Sequence, residues 1–278
     1  MIKLHNESLA KYTTFRIGGI AREMYFPESL DDLITIPNLA ESWIIGAGSN
    51  LLINDKGSFG CVVCTARLNK KITLLENGNF FIGAGNRIQN AIAAINKAGY
   101  GGLEYLVSIP ATIGGAIYMN AGVFSPKTTT ISDYLVSVSI FEDGCIKVLK
   151  REECFFSKRY SVFHKKRAVI LGAEFNFPKQ SEEISKRKIA ERMAVAKNQD
   201  HSGGNCGSVF KVCSYKIVKM IRFFHPSRGG ATWSPKTTNW IINKGHATYK
   251  DVKTLINLSK ILHKICFRKC EQEVIEWM

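Results

Sequence analysis

The chain has 278 residues, and its 38 Lys and Arg against 23 Asp and Glu leave a formal net charge of +15. Hydrophobic residues make up 45% and charged ones 22%, a globular balance that excludes long disorder and collagen-like repeats and leaves room for two domains, or one with a subdomain. No run approaches the roughly 18 apolar residues of a membrane span, and no apolar stretch follows a basic head at Met1-Ile2-Lys3-Leu4, so a cytoplasmic protein with no membrane partner is expected.

The eight cysteines are scattered over a chain too long to need stapling, which favours free thiols. Cys61 and Cys64 form a CxxC, but on a β-rich run that turns them to opposite faces, and no second pair stands at zinc-finger spacing, so no metal site is expected. The basic residues are dispersed, with His164-Lys165-Lys166-Arg167 the densest cluster. With no RNP, zinc-finger or helix-turn-helix signature, no nucleic-acid partner is expected. A solvated basic surface and a cleft for polyanionic small molecules both remain open.

In chain order, strands are predicted at 43–46, 61–64, 80–83, 136–141, 146–149 and 169–172, each bounded by turn residues. Arg87 to Ala98 has helical spacing and ends at Gly99, a good C-cap. Asp143-Gly144 between two β-rich runs predicts a hairpin with a primed turn. From about residue 178 the texture changes: 181–197 is charged, helix-prone and placed to link two units. A last amphipathic helix starts at Thr248 as N-cap with Asp251 three residues on, and is expected to carry Val252, Leu255, Ile256, Ile261, Leu262 and Ile265 on one face.

Three glycine-rich loops could bring backbone N–H groups against phosphates: Gly46-Ala47-Gly48-Ser49-Asn50, Gly83-Ala84-Gly85 and Pro110-Ala111-Thr112-Ile113-Gly114-Gly115. Neither GxG continues to GxGxxG, since Leu51 and Ile88 take the third place, and there is no Walker Lys. Any one of these loops alone reads as a tight turn.

Taken together with Tyr12-Thr13-Thr14-Phe15-Arg16-Ile17-Gly18-Gly19, Gly102-Leu103-Glu104-Tyr105-Leu106 and Met119-Asn120-Ala121-Gly122, they resemble the UDP-N-acetylenolpyruvoylglucosamine reductase (MurB) family, flavoproteins of peptidoglycan precursor synthesis. Order and spacing agree from residue 6 to 274. The resemblance implies an α+β fold: an FAD-binding fold of the vanillyl-alcohol-oxidase/PCMH type made of two α+β subdomains (1–60 and 61–180), plus a C-terminal α+β substrate-binding domain (181–278). It also implies FAD and NADPH as cofactors, the enolpyruvyl UDP-sugar as substrate and a monomeric state.

The FAD residues implied are Gly46, Ala47, Gly48, Ser49 and Asn50 with Pro110, Ala111, Thr112, Gly114 and Gly115 at the pyrophosphate, and Arg16, Asn120 and Gly122 near the flavin. Phe156-Ser157-Lys158-Arg159-Tyr160-Ser161-Val162-Phe163 resembles the element that makes Arg159 the carboxylate clamp. Gly207-Ser208-Val209-Phe210-Lys211 resembles the element carrying the proton-donating serine, Ser208, and the Glu271-Gln272-Glu273-Val274 register places the functional carboxyl at Glu273. From residue type alone Arg159 reads as a surface arginine, Ser208 as part of a turn and Glu273 as an exposed acid. The chain departs from the family at Ser108 and Ala111, where Gly is usual, at Lys158 in place of Tyr, and at Val212 in place of Asn. The alternatives are another FAD oxidoreductase of the same fold and a UDP-sugar-binding paralogue without turnover.

Overall fold

The computed structural model describes residues 1–278. Its contacts sort the chain into two compact units, one of Met1–Leu4, Glu23–Ala47 and Cys61–Lys197, the other of His5–Arg22, Gly48–Gly60 and Asn198–Met278.

The first unit is built on a five-stranded sheet whose strands run in the order Cys145–Lys150, Leu135–Glu142, Val169–Phe175, Phe80–Gly83, Ile72–Leu74, all antiparallel neighbours. Alternation decides which face is dry: Val138 and Ile140 are fully buried, while Val148 on the edge strand is 62% exposed. Asp143 and Gly144 between the first two strands both have positive φ, the conformation of a type I′ turn. α1 (Leu30–Ile34) sends Leu33 into a separate cluster with Phe141, Val169 and Leu171, whereas α2 (Ile88–Lys97) and α3 (Ile113–Met119) pack with the core of Val138 and Ile140. In α2 Ile88, Ala91, Ile92 and Ile95 turn to the core, and the chain leaves through Gly99 at φ +81°. Each such fully buried side chain contributes roughly 1.5–3 kcal/mol of transfer free energy. Trp43–Ile45 pairs in parallel with the second half of Ser58–Cys64, so Cys64 is buried and Cys61 half-buried.

The segment expected to link two units is α4 (Glu182–Lys197), and it belongs to the first. Its dry contacts are few, but Ser185 and Arg192 are buried, and Tyr105 Oη donates to Glu191 at 2.7 Å.

In the second unit α5 (Tyr215–Phe224) and α6 (Tyr249–Ile265) cover a core of Phe15, Val209, Phe210, Trp233, Ile241 and Leu255. α6 opens with a complete capping box: Thr248 Oγ1 accepts from the Asp251 N–H, and Asp251 accepts from the Thr248 N–H. Leu51–Ile53 pairs in parallel with Ile275–Trp277, tying the segment after the Gly46 loop to the C-terminus. No helix is long and apolar enough to cross a membrane.

Candidate active site

In the first unit the GxG loop and the Pro110 loop face each other. A Cβ built on Gly46 would lie 2.6 Å from Thr112 Oγ1, so glycine at 46 leaves room for the Thr112 hydroxyl. Thr112 is the buried N-cap of α3, its Oγ1 accepting from the Gly115 N–H at 3.3 Å. The N–H groups of Ile113 and Gly114 are already taken by the carbonyls of Asn86 and Ala84. The Pro110–Gly115 loop therefore acts more through its shape than as a row of free donors, a distinction spacing alone could not make. Ala111 is buried in the core, and Ser108 Oγ accepts from the buried Arg192 Nε at 2.7 Å. The hydroxyl that replaces glycine at 108 is thus engaged by α4. Burial lowers the Arg192 pKa from its ordinary value.

α3 ends at Asn120, held in the left-handed region at φ +43°. Its Nδ2 donates to the Ser157 carbonyl at 3.0 Å, while its buried Oδ1 has no hydrogen-bond partner. A buried acceptor without a donor is costly in a closed fold, so it marks where a ligand N–H fits.

Ser157 and Tyr160 exchange backbone hydrogen bonds at 3.1 Å each way, closing a two-residue turn over Lys158 and Arg159. Arg159 takes φ +55°, and its Nη2 donates to the Gly122 carbonyl at 2.6 Å. The Phe124 ring lies under both cations, 5.1 Å from Lys158 Nζ and 5.3 Å from Arg159 Cζ. Ser161 Oγ, donating to the Tyr118 carbonyl at 2.7 Å, and the buried Phe163 anchor the element. Arg159, Asn120 and Gly122, drawn from two separate motifs, are thereby brought together. Phe124 gave no signal, being one aromatic residue in a loop.

In the second unit Arg16 also has positive φ, +57°. Its turn is fixed by its own N–H donating to the Thr13 carbonyl and by buried Asn243, whose Nδ2 donates to the Phe15 carbonyl at 2.9 Å. Arg16, Asn120 and Arg159 are three of nine non-glycine residues with positive φ, an expensive conformation that points to function where the surroundings enforce it. Gly48 adopts φ +62°, and a Cβ there would reach 1.9 Å from the Tyr12 carbonyl oxygen. Ser49 follows it, and Asn50 Nδ2 donates to the Glu273 carbonyl at 3.1 Å.

Ser208 is half-buried between Gly207, at φ +75°, and Val209. The Val209 N–H donates to the Asn239 carbonyl, and Asn239 also clamps Phe210 through both main-chain groups, at 3.1 and 2.7 Å. The Val209 carbonyl in turn accepts from the Glu273 N–H at 2.8 Å. Ser208 and Glu273, 65 residues apart, thus flank the antiparallel pair of Phe210–Val212 with Glu271–Gln272. Burial, and after it the Glu273 charge, push the Cys206 thiol pKa up, as expected with that carboxylate close by. The neighbouring acid is different: a hydrogen bond from Lys269 and the charge of Lys211 hold the Glu271 carboxyl below its ordinary range. Glu271, so held, is unsuited to act as a neutral acid. Asn239 and Asn243 both hydrogen-bond main chain. They position Ser208's neighbours and the Arg16 turn.

The close Gly46–Thr112 approach and the orphaned Asn120 Oδ1 fit a bound FAD, with a flavin N–H able to satisfy Asn120 and a cofactor backbone able to pass where glycine leaves room.

Residues 22–147 match the FAD binding domain family model. The chain is 36% identical over 265 residues to the UDP-N-acetylenolpyruvoylglucosamine reductase of Carboxydothermus hydrogenoformans, covering 91% of this chain and 86% of the relative. It is 34% identical to that of Bacillus subtilis over 266 residues, with the same coverage. The crystal structure of the Thermus caldophilus UDP-N-acetylenolpyruvylglucosamine reductase (MurB) superimposes with a TM-score of 0.83 at 27% identity, covering 100% of this chain and 98% of that one. The α+β architecture is accordingly an FAD-binding fold, and this FAD-containing oxidoreductase belongs to the UDP-N-acetylenolpyruvoylglucosamine reductase family.

Proposed function

We propose that the chain reduces the enolpyruvyl group of UDP-N-acetylenolpyruvoylglucosamine to UDP-N-acetylmuramate with electrons from NADPH, as a cytoplasmic monomer. In this reading residues 1–60 and 61–180 hold the cofactor and 181–278 the sugar nucleotide. The observation that supports it is the main-chain bond from Glu273 to Val209, which joins the segment of the proposed acid to the segment of the proposed proton donor.

When bound, FAD supplies the two-electron store that links one substrate to the other. The net change adds a hydride to carbon 3 of the alkene and a proton to carbon 2. The acceptor already carries a carboxylate, and the transition state pushes further negative charge onto its oxygens. Arg159 is suited to clamp that carboxylate, because its planar fork offers paired donors and is preoriented by the Gly122 carbonyl. Glu273 in its neutral form donates a hydrogen bond to the developing enolate, whereas the ionised form would repel it. Ser208 gives up its proton to carbon 2. An ordinary hydroxyl is a weak acid, so this transfer depends on the strong basicity of the enolate beside it. The +15 balance favours a polyanionic sugar nucleotide and dinucleotide. Arg16, Gly46 to Asn50, Pro110 to Gly115, Asn120 and Gly122 are the residues we assign to FAD.

The test is a flavin spectrum of the purified protein. It should bleach with NADPH and recover on adding the enolpyruvyl UDP-sugar. Bleaching without recovery would assign the fold to another substrate, and no response to NADPH would remove the proposed reductant.

A further inference from the structure

α5 and α6 each carry a second apolar face that the fold leaves in solvent. On α5 the core takes Ile217, Val218 and Ile221, yet Phe223 on the opposite side is 80% exposed, and Met220 and Phe224 along the edge of the core face are 41% and 67% exposed. On α6 the core takes Val252, Leu255, Ile256, Ser259 and His263, while Ile261 and Ile265, expected on that same face, fall on the other side of the helix by its 3.6-residue period and are 56% and 64% exposed. A groove lined by Met220, Ile221, Phe224, His225 and Leu262 lies between the two helices. Exposed apolar patches of this kind mark interaction surfaces.

The end of α6 adds an independent observation. The Phe267 N–H donates to the Lys264 carbonyl and the Arg268 N–H to the His263 carbonyl, the two bonds of a Schellman cap. The left-handed position of that cap, normally glycine, is filled by Phe267 at φ +51°, with its side chain 97% exposed. Within the folded chain this ring gains no burial in return for its backbone strain.

Charge selects the occupant. Between Asp200 and Glu271 the sequence has thirteen Lys and Arg and a single acid, Asp251. Lys216 and Lys219 stand one helical turn before Met220 and Phe223, and Lys264 and Arg268 flank Ile265 and Phe267; all four are exposed. A second copy of this chain would bring like charges together. An anionic bilayer offers phosphates to the lysines and acyl chains to the phenylalanines, as interfacial helices require. We propose that the α5–α6 face docks the protein on the surface of an anionic membrane, with Phe223, Phe224 and Phe267 entering the headgroup boundary. The absence of a spanning helix does not bear on such peripheral binding.

The experiment is vesicle flotation of the full-length flavoprotein with phosphatidylcholine vesicles, alone or with roughly one-third phosphatidylglycerol. The protein should float only with the anionic vesicles, less as salt is raised. Phe267→Gly, which suits the left-handed backbone and so keeps the fold, and the double variant Phe223→Ser with Phe224→Ser should each lower the partition coefficient about tenfold with flavin content unchanged. No flotation, or flotation equal in the phenylalanine variants and wild type, would overturn the proposal. So would a concentration-dependent dimer in sedimentation that those variants dissociate, which would assign the face to a second copy.

Discussion

The main-chain N–H of Glu273 donates to the carbonyl of Val209 at 2.8 Å, and Val209 directly follows Ser208. This pairing ties together the two chain segments that carry the proposed acid and the proposed proton donor. If Glu273 stabilises charge that exists only in the transition state, Glu273→Ala should lower kcat by about 10²–10³ and leave KM within a few-fold. Glu273→Gln keeps a donor and should lose less. Steady-state kinetics with a flavin spectrum as a folding control check this; a rise in KM at constant kcat would move Glu273 to ground-state binding.

Arg159→Lys should not behave as a conservative change. Lysine keeps the charge but loses the fork that reaches the Gly122 carbonyl, and the site's positive φ gains nothing from it. A fall of about 10²-fold in kcat/KM is expected, with flavin reduction by NADPH retained. Wild-type turnover in this variant would return Arg159 to the surface reading that its residue type alone suggests.

Much of this architecture is legible in the sequence, and the parts that are not share a cause. The capping box at Thr248 and Asp251, the Asp143-Gly144 turn and the apolar period of α2 are local, each set by residues within a turn of one another. The parallel pairing of Leu51–Ile53 with Ile275–Trp277 is carried by three-residue strands, too short for a period to show and too far apart for any local rule. The same holds for the site. The motifs point to Arg159, Ser208 and Glu273, but nothing in their spacing shows that Asn239 and Asn243 serve the backbone, or that Lys211 and Lys269 pair with Glu271. α3, opening at Thr112, was visible only as a glycine-rich loop because two adjacent glycines lower its helix propensity.

Gly46→Ala tests the cofactor cradle. The added Cβ would sit 2.6 Å from Thr112 Oγ1, so one of the two loops must move. We expect about 1–3 kcal/mol lower stability in thermal unfolding and a lower FAD-to-protein ratio by absorbance. Full flavin content at wild-type stability would show that this approach does not shape the cofactor site.

Glu276 provides the pH prediction. Burial raises its pKa, but hydrogen bonds from Lys253, Tyr249 and Gln272 outweigh that and leave it below its usual value of 4.5. A depressed carboxyl stabilises the fold above its unfolded pKa and loses that contribution as pH falls through the folded value. Wild-type stability should therefore drop more steeply below about pH 4.5 than that of Glu276→Gln, which should itself be about 1–2 kcal/mol less stable at neutral pH. Parallel acid-unfolding curves would contradict the assignment.

The most direct measurement separates the two half-reactions in Ser208→Ala. Stopped-flow absorbance should show flavin reduction by NADPH at close to the wild-type rate, while reoxidation by the enolpyruvyl UDP-sugar, with formation of the muramate product, falls by about 10²–10⁴. Reduction and reoxidation both at wild-type rates would show that the serine is not the proton donor and would contradict the account.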